Sequence, residues 1–194
     1  MNKKPFDVHK LVGMAIFTAI VVVLEWVSAA VGHVGIFTFT LALIPIVVGA
    51  ALYGVEAGAW LGFVFGVIVL ISGDAAPFWA VNILGTVITV LLKGTFAGFV
   101  SGLVYKALSK RPMLGVVASA VAAPVMNTGV FLLGCLVFFL PTIREWGAAA
   151  GFENAGTYMV LGFVGINFLI EMLINIVLSP VILRLIRIGQ RRQA

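Results

Sequence analysis

Six apolar runs, each ended by glycine, proline or charged residues, occupy residues 11–31, 39–53, 56–72, 82–106, 114–140 and 158–186. A helix needs roughly 20 mostly apolar residues to cross the hydrocarbon core of a bilayer, and lipid admits only segments whose backbone groups are satisfied internally. The runs therefore predict an all-α integral membrane protein, a six-transmembrane-helix bundle forming a single membrane domain over 1–194. Composition agrees, with 62% hydrophobic and 10% charged residues where a soluble domain carries about a quarter charged. The second run is short, and Tyr53-Gly54-Val55-Glu56 joins it tightly to the third, as in a helical hairpin.

The few charges are informative because of where they fall. The start, Met1 to Lys10, is short and basic and enters the first run without the small-residue cleavage site of a secretory signal. Placing it in the cytoplasm puts Lys3, Lys4, Lys10, Lys106, Lys110, Arg111, Arg184, Arg187, Arg191 and Arg192 there, ten of the twelve Lys and Arg residues. By the positive-inside rule both termini are then cytoplasmic, with Arg144 outside and Lys93 within the membrane. The net charge of +5 is read as orientation, because it flanks apolar spans and forms no water-facing basic surface; no nucleic-acid partner is expected.

Glu25, Lys93 and Glu171 fall inside predicted spans. A charge at mid-membrane costs roughly 2.5–3.5 kcal/mol on insertion scales, so each position needs a partner or a function. Asn167, Glu171 and Asn175 recur at i, i+4 and i+8, which stacks them on one helix face. Counted from the span ends, Lys93, Asn127 and Glu171 reach similar depth. A polar cluster from the fourth, fifth and sixth spans is the expectation. It is open to two readings: a buried Lys93–Glu171 ion pair that fixes packing, or a binding cavity facing outward in which Lys93 meets a substrate carboxylate. One ion pair does not account for four asparagines, which favours the cavity, with Lys93, Asn127, Asn167, Glu171, Asn175, Asn82, Trp79 and Glu25 as candidate substrate-binding residues. Trp26 and Trp79 read first as interfacial anchors, and the Gly- and Ala-rich stretch from Pro141 to Thr157 as an outer loop that serves as connector or lid.

Small residues recur at every fourth position: Ala15 and Ala19; Gly58, Gly62 and Gly66; Gly94, Gly98 and Gly102. Such stripes allow close helix approach in lipid, within the bundle or against a separate subunit. Enzymatic motifs are missing from the sequence. There is no Gly-x-x-x-x-Gly-Lys-Ser/Thr phosphate loop, no His-Glu-x-x-His and no Gly-x-Ser-x-Gly. A single cysteine, Cys135, in an apolar run reads as filler, and neither a metal nor a cofactor is expected. No repeat between residues 1–97 and 98–194 marks a secondary carrier. A small stand-alone carrier or channel, or a purely structural membrane scaffold, are the other readings these features leave.

The basic start, six short spans and Ala15-x-x-x-Ala19, with no phosphate loop, resemble the S component of an energy-coupling-factor (ECF) vitamin transporter. The resemblance is carried further by Leu43-Ile-Pro-Ile-Val-Val-Gly-Ala-Ala-Leu-Tyr-Gly54 with Glu56-Ala-Gly-Ala-Trp-Leu-Gly-Phe-Val-Phe-Gly66. Leu92-Lys93-Gly94-x-x-Ala97-Gly98 and Asn167-Phe-Leu-Ile-Glu171-x-x-x-Asn175-x-x-x-Ser179-Pro180 are similar to the pantothenate-like branch. What the resemblance implies is a subunit in the prokaryotic plasma membrane that captures one small vitamin, with no enzymatic activity of its own. It implies docking through Ala15 and Ala19 on a coupling transmembrane subunit that carries two ATPases. It also sets Lys93 where a basic residue meets the pantothenate carboxylate; riboflavin is a rival cargo, because Trp26, Trp79 and the many phenylalanines could stack on a ring.

Overall fold

A computed structural model describes residues 8–31 and 40–193, and no strand occurs among them. The long helices are α1 (Val8–Val31), α3 (Val55–Ser72), α5 (Ile83–Ala107) and α6 (Pro112–Phe138). Shorter ones are α2 (Leu43–Tyr53), α4 (Ala76–Trp79), α7 (Leu140–Ala149) and α8 (Ala155–Thr157). A π-helical stretch, Tyr158–Val164, then leads into α9 (Gly165–Gln193). Lys3 and Lys4, assigned above to the cytoplasm, lie outside the described residues.

Among the described residues five stretches are long and apolar enough to cross a membrane: Val8–Ala30, Val55–Ser72, Ile83–Ala107, Pro112–Phe138 and Ala155–Val177. The second expected span is different. With 11 residues, α2 is about 16 Å long at 1.5 Å per residue, short of the ~30 Å hydrocarbon core. Its Leu43 and the stretch Pro45 to Ala50 are buried, because α1, α3, α5, α6 and α9 all pack around it. A helix apolar on every side is what an interior position requires.

Apolar and polar side chains are distributed opposite to the pattern of a soluble protein. Leu11, Ile16, Val23, Ile83, Val137 and Leu173 are exposed, whereas Glu25, Thr86, Thr89, Ser101, Ser119, Asn127, Asn175 and Ser179 are buried. Several interior hydroxyls are satisfied along their own helices: Ser119 donates to Gly115 O, Thr86 to Asn82 O and Ser179 to Asn175 O. Lipid-facing apolar atoms and internally satisfied polar atoms are the two demands a bilayer makes. This is a multi-pass membrane protein.

The α3–α5 seam explains two of the three small-residue stripes. A Cβ on Gly62 would run into the backbone carbonyl of Gly94, one on Gly58 into Gly98, and one on Gly66 into Val90. The contacts are reciprocal, since Gly94 meets Gly62 O and Gly98 meets Gly58 O. Backbones this close gain dispersion and weak polar contact that no larger residue permits. The third stripe behaves differently, for Ala15 and Ala19 are exposed on the outer face of α1.

Contacts at one end of the bundle gather the basic segments. Gly13 lies against Tyr53, Gly102 against Val55, Gly115 against Tyr105 and Gly189 against Leu52. The start of α1, the end of α5, the start of α6 and the far end of α9 therefore share one end. Those segments bear Lys10, Lys106, Lys110, Arg111, Arg184 and Arg187.

One expectation is corrected. Part of the stretch expected as a loop, Pro141 to Thr157, is helical: α7 carries Pro141 in its first turn and buries Ile143 and Gly147. Proline is well suited to the first turn of a helix, and an apolar face on α7 outweighs the glycines and alanines that read as loop.

Candidate functional site

The bundle half opposite the basic end holds a cavity of about 470 Å³, inside the ~300–1,000 Å³ range of small-molecule sites. Its wall is assembled from Glu25 and Ser28 of α1, Phe65 and Val69 of α3, Phe78 of α4, Val90 and Lys93 of α5, Asn127, Thr128 and Phe131 of α6, and Asn167, Phe168 and Glu171 of α9. Thr40, just before α2, and Asp74, in the α3–α4 turn, complete its polar lining.

Lys93 is placed by the glycine seam. Its neighbour Gly94 lies flush against Gly62, and this close approach brings the start of the side chain near α3. The ammonium Nζ stands 5.9 Å from the Phe65 ring centre and 5.2 Å from that of Phe131, both within the reach of cation–π attraction. Among the described residues it makes no salt bridge, and the acidic groups acting on it are Glu25, Glu171 and Asp74, in that order. An intramembrane lysine with aromatic walls and no direct carboxylate partner is open to an anionic ligand group.

The acidic side of the wall is organised by Thr40. Its hydroxyl donates to Glu25 Oε2 at 2.6 Å and its backbone N–H donates to Glu171 Oε1 at 3.2 Å. The same hydroxyl oxygen accepts from Ala42 N, while Ser28 Oγ accepts from Leu41 N. Thr40 thus ties α1 to α9 across the cavity, and Leu41 adds a second bond to α1. On the α6 side Asn127 is 7% exposed and its Oδ1 has no hydrogen-bond partner among the described residues.

Phe78 closes part of the wall and is itself held from behind. It meets Phe131, Phe139 and Trp146 edge-on, at centroid distances of 5.6, 4.8 and 5.6 Å. Trp146 belongs to α7, so the helix that replaces the expected loop buttresses the cavity through an aromatic cluster. Cys135 is free and buried in that cluster.

Of the eight candidates, Lys93, Asn127, Asn167, Glu171 and Glu25 lie on the wall, and Asn82, Trp79 and Asn175 do not. Asn82 is the N-cap of α5, its side chain accepting from Gly85 N at 2.8 Å, a role that follows from the orphan amides of a helix start. Trp79 packs against the core formed by α1, α2, α3 and α5. Asn175 is buried one turn beyond Glu171 and donates to its backbone carbonyl. Sequence reasoning passed over Thr40, Ser28, Thr128 and Asp74. Asp74 alone gave a signal, as an acidic residue beside a span end.

Known proteins bear on this arrangement in three ways. The curated relative "Pantothenic acid transporter PanT" of Lactococcus lactis subsp. cremoris is 27% identical over 187 residues, covering 87% of this chain and 89% of its own. The solved structure of ThiT from Listeria monocytogenes superposes with a TM-score of 0.60 at 22% identity, over 91% of this chain and 96% of that one, and shows that the two share a fold. The model of the family described as "ECF transporter, substrate-specific component" matches residues 9–183, nearly the whole bundle and every residue of the cavity wall. The chain belongs to the family of ECF transporter substrate-specific components.

Proposed function

We propose that this chain captures a small vitamin from outside the cell, with pantothenate as its cargo, and delivers it to an ECF transport module. The observation that carries the reading is Lys93: a cation on the wall of a ligand-sized cavity, flanked by Phe65 and Phe131 and free of a salt bridge among the described residues. In the proposed complex its ammonium receives the pantothenate carboxylate. Lysine serves as a point charge here, without the bidentate fork of arginine. Asn127, Asn167, Glu171 and Glu25 hydrogen-bond the remaining polar groups, while Asn82, Trp79 and Asn175 hold the wall in place from outside it. The 27% identity to the pantothenic acid transporter supports the cargo.

The family consists of transporter components and not of enzymes, so in this proposal the energy comes from partners. The exposed Ala15 and Ala19 of α1 are the proposed contact with the coupling transmembrane subunit, which in turn carries two ATPases. The proposed setting is the prokaryotic plasma membrane, with one membrane domain of six embedded helices and both termini cytoplasmic. The clustering of Lys10, Lys106, Lys110, Arg111, Arg184 and Arg187 at the end away from the cavity supports that orientation.

A thermal-shift screen of the purified chain in detergent tests the cargo, against pantothenate, riboflavin, folate, thiamine, biotin and lipoate. A ligand that binds only the folded state, at ~100 times its dissociation constant, adds about 2.7 kcal/mol. Pantothenate is expected to raise the melting temperature and the others to leave it in place. A shift with riboflavin alone overturns the cargo assignment.

A further inference from the structure

The hydrogen-bonding chemistry of the cavity wall is lopsided. One ammonium, Lys93, faces three carboxylates, Glu25, Asp74 and Glu171, drawn from α1, the α3–α4 turn and α9. A carboxyl group has room for several donors; Glu171 takes one from Thr40, and Glu25 takes one from Thr40 beside its side-chain hydrogen bond with Asp74. A second, independent observation points the same way. Asn127 is more than nine-tenths buried, lies on the wall, and has a side-chain oxygen with no donor among the described residues. A buried acceptor left unpaired costs on the order of 1–3 kcal/mol, a cost that a ligand donor removes. Ser28, Thr128 and Asn167 add groups that can donate or accept, while Phe65, Val69, Phe78, Val90 and Phe131 make the apolar part of the wall.

We infer that the cargo carries, besides the anionic group that meets Lys93, at least two O–H or N–H donors that are received by Glu25, Glu171 and Asn127. This deepens the proposed function and rests on it. The substrate class is a hydroxy- or amino-substituted carboxylic acid, and the acidic wall is its selectivity filter. Simple carboxylic acids with apolar tails are rejected, because they bring no donors to the carboxyl groups and Asn127. A site built to bond a hydroxyl discriminates far more strongly against an analogue lacking it than an apolar pocket does against an extra methylene.

Titration calorimetry on the purified full-length chain tests this with three probes: pantothenate, the alcohol pantothenol, and an N-acyl-β-alanine of the same length lacking both hydroxyls. Pantothenate is expected to bind, and loss of the hydroxyls to weaken binding by about 10- to 100-fold. Loss of the carboxylate in pantothenol removes the Lys93 contact and weakens binding by a similar factor. Glu171→Gln, which keeps an oxygen for the Thr40 amide, is expected to weaken pantothenate about tenfold while changing the dehydroxylated analogue less than about twofold. The comparison of probes on the unmodified chain stands even where that variant fails to fold. If the dehydroxylated analogue binds as tightly as pantothenate, or Glu171→Gln weakens both equally, the inference is overturned and the cargo reading survives. If the folded chain binds none of the three, the cargo reading fails, and with it the inference built on it.

Discussion

A lysine midway along a membrane helix keeps its charge only when the protein replaces the water it has lost. Around Lys93 the surroundings are two phenyl rings and a polar cavity, and among the described residues no carboxylate forms a salt bridge with it. That Lys93, Glu171 and Asn167 belong together was legible in the sequence, because a polar residue in an apolar run stands out and the i, i+4 spacing fixes its face. Thr40 was not legible: a threonine between two spans has no periodicity to mark it, and its role appears only once the chain folds it between Glu25 and Glu171. Thr40→Val removes the hydroxyl bonds to Glu25 and from Ala42 and leaves the backbone donor to Glu171. It is expected to cost about 1–3 kcal/mol, read as a lower melting temperature in detergent. An unchanged melting temperature would deny the residue its bridging role.

At the level of elements, glycine spacing foretold close helix approach but not the partner of each stripe. Reciprocal contacts of Gly58 with Gly98 and Gly62 with Gly94 assign two stripes to the α3–α5 seam, where the backbones themselves are in contact. Gly62→Leu is expected to force the seam apart at a cost of roughly 1–3 kcal/mol or more. Because Gly94 precedes Thr95 and follows Lys93 in that seam, pantothenate affinity is expected to fall with stability; circular dichroism melts and calorimetry on the same sample check both. Two elements escaped the sequence for different reasons. The helix α2 reads as a short span because its apolar run takes in the residues just before it, and α7 reads as a loop because its 10 residues open around a proline and end in a Gly-Ala-Ala run that continues into the Gly- and Ala-rich stretch after it. In the fold α7 supports the cavity through Trp146 and Phe78.

For the whole molecule, the cavity and the proposed docking face lie on different surfaces, one inside the bundle among α1, α5, α6 and α9 and the other on the outer side of α1. Ligand capture and docking are therefore separable by mutation. Ala15→Leu with Ala19→Leu is expected to leave pantothenate affinity within about twofold and to abolish co-purification with the coupling subunit and uptake in reconstituted vesicles; weakened ligand binding by the isolated variant would contradict that separation. The central claim, that Lys93 receives the acidic group of the cargo, is tested most directly by calorimetric titration of pantothenate into the unmodified chain, Lys93→Arg and Lys93→Ala, each with its own melting curve. Saturable binding by the first, retained in weakened form by Lys93→Arg and lost by about 100-fold or more in a folded Lys93→Ala, is the predicted result. Equal binding by a folded Lys93→Ala would contradict it.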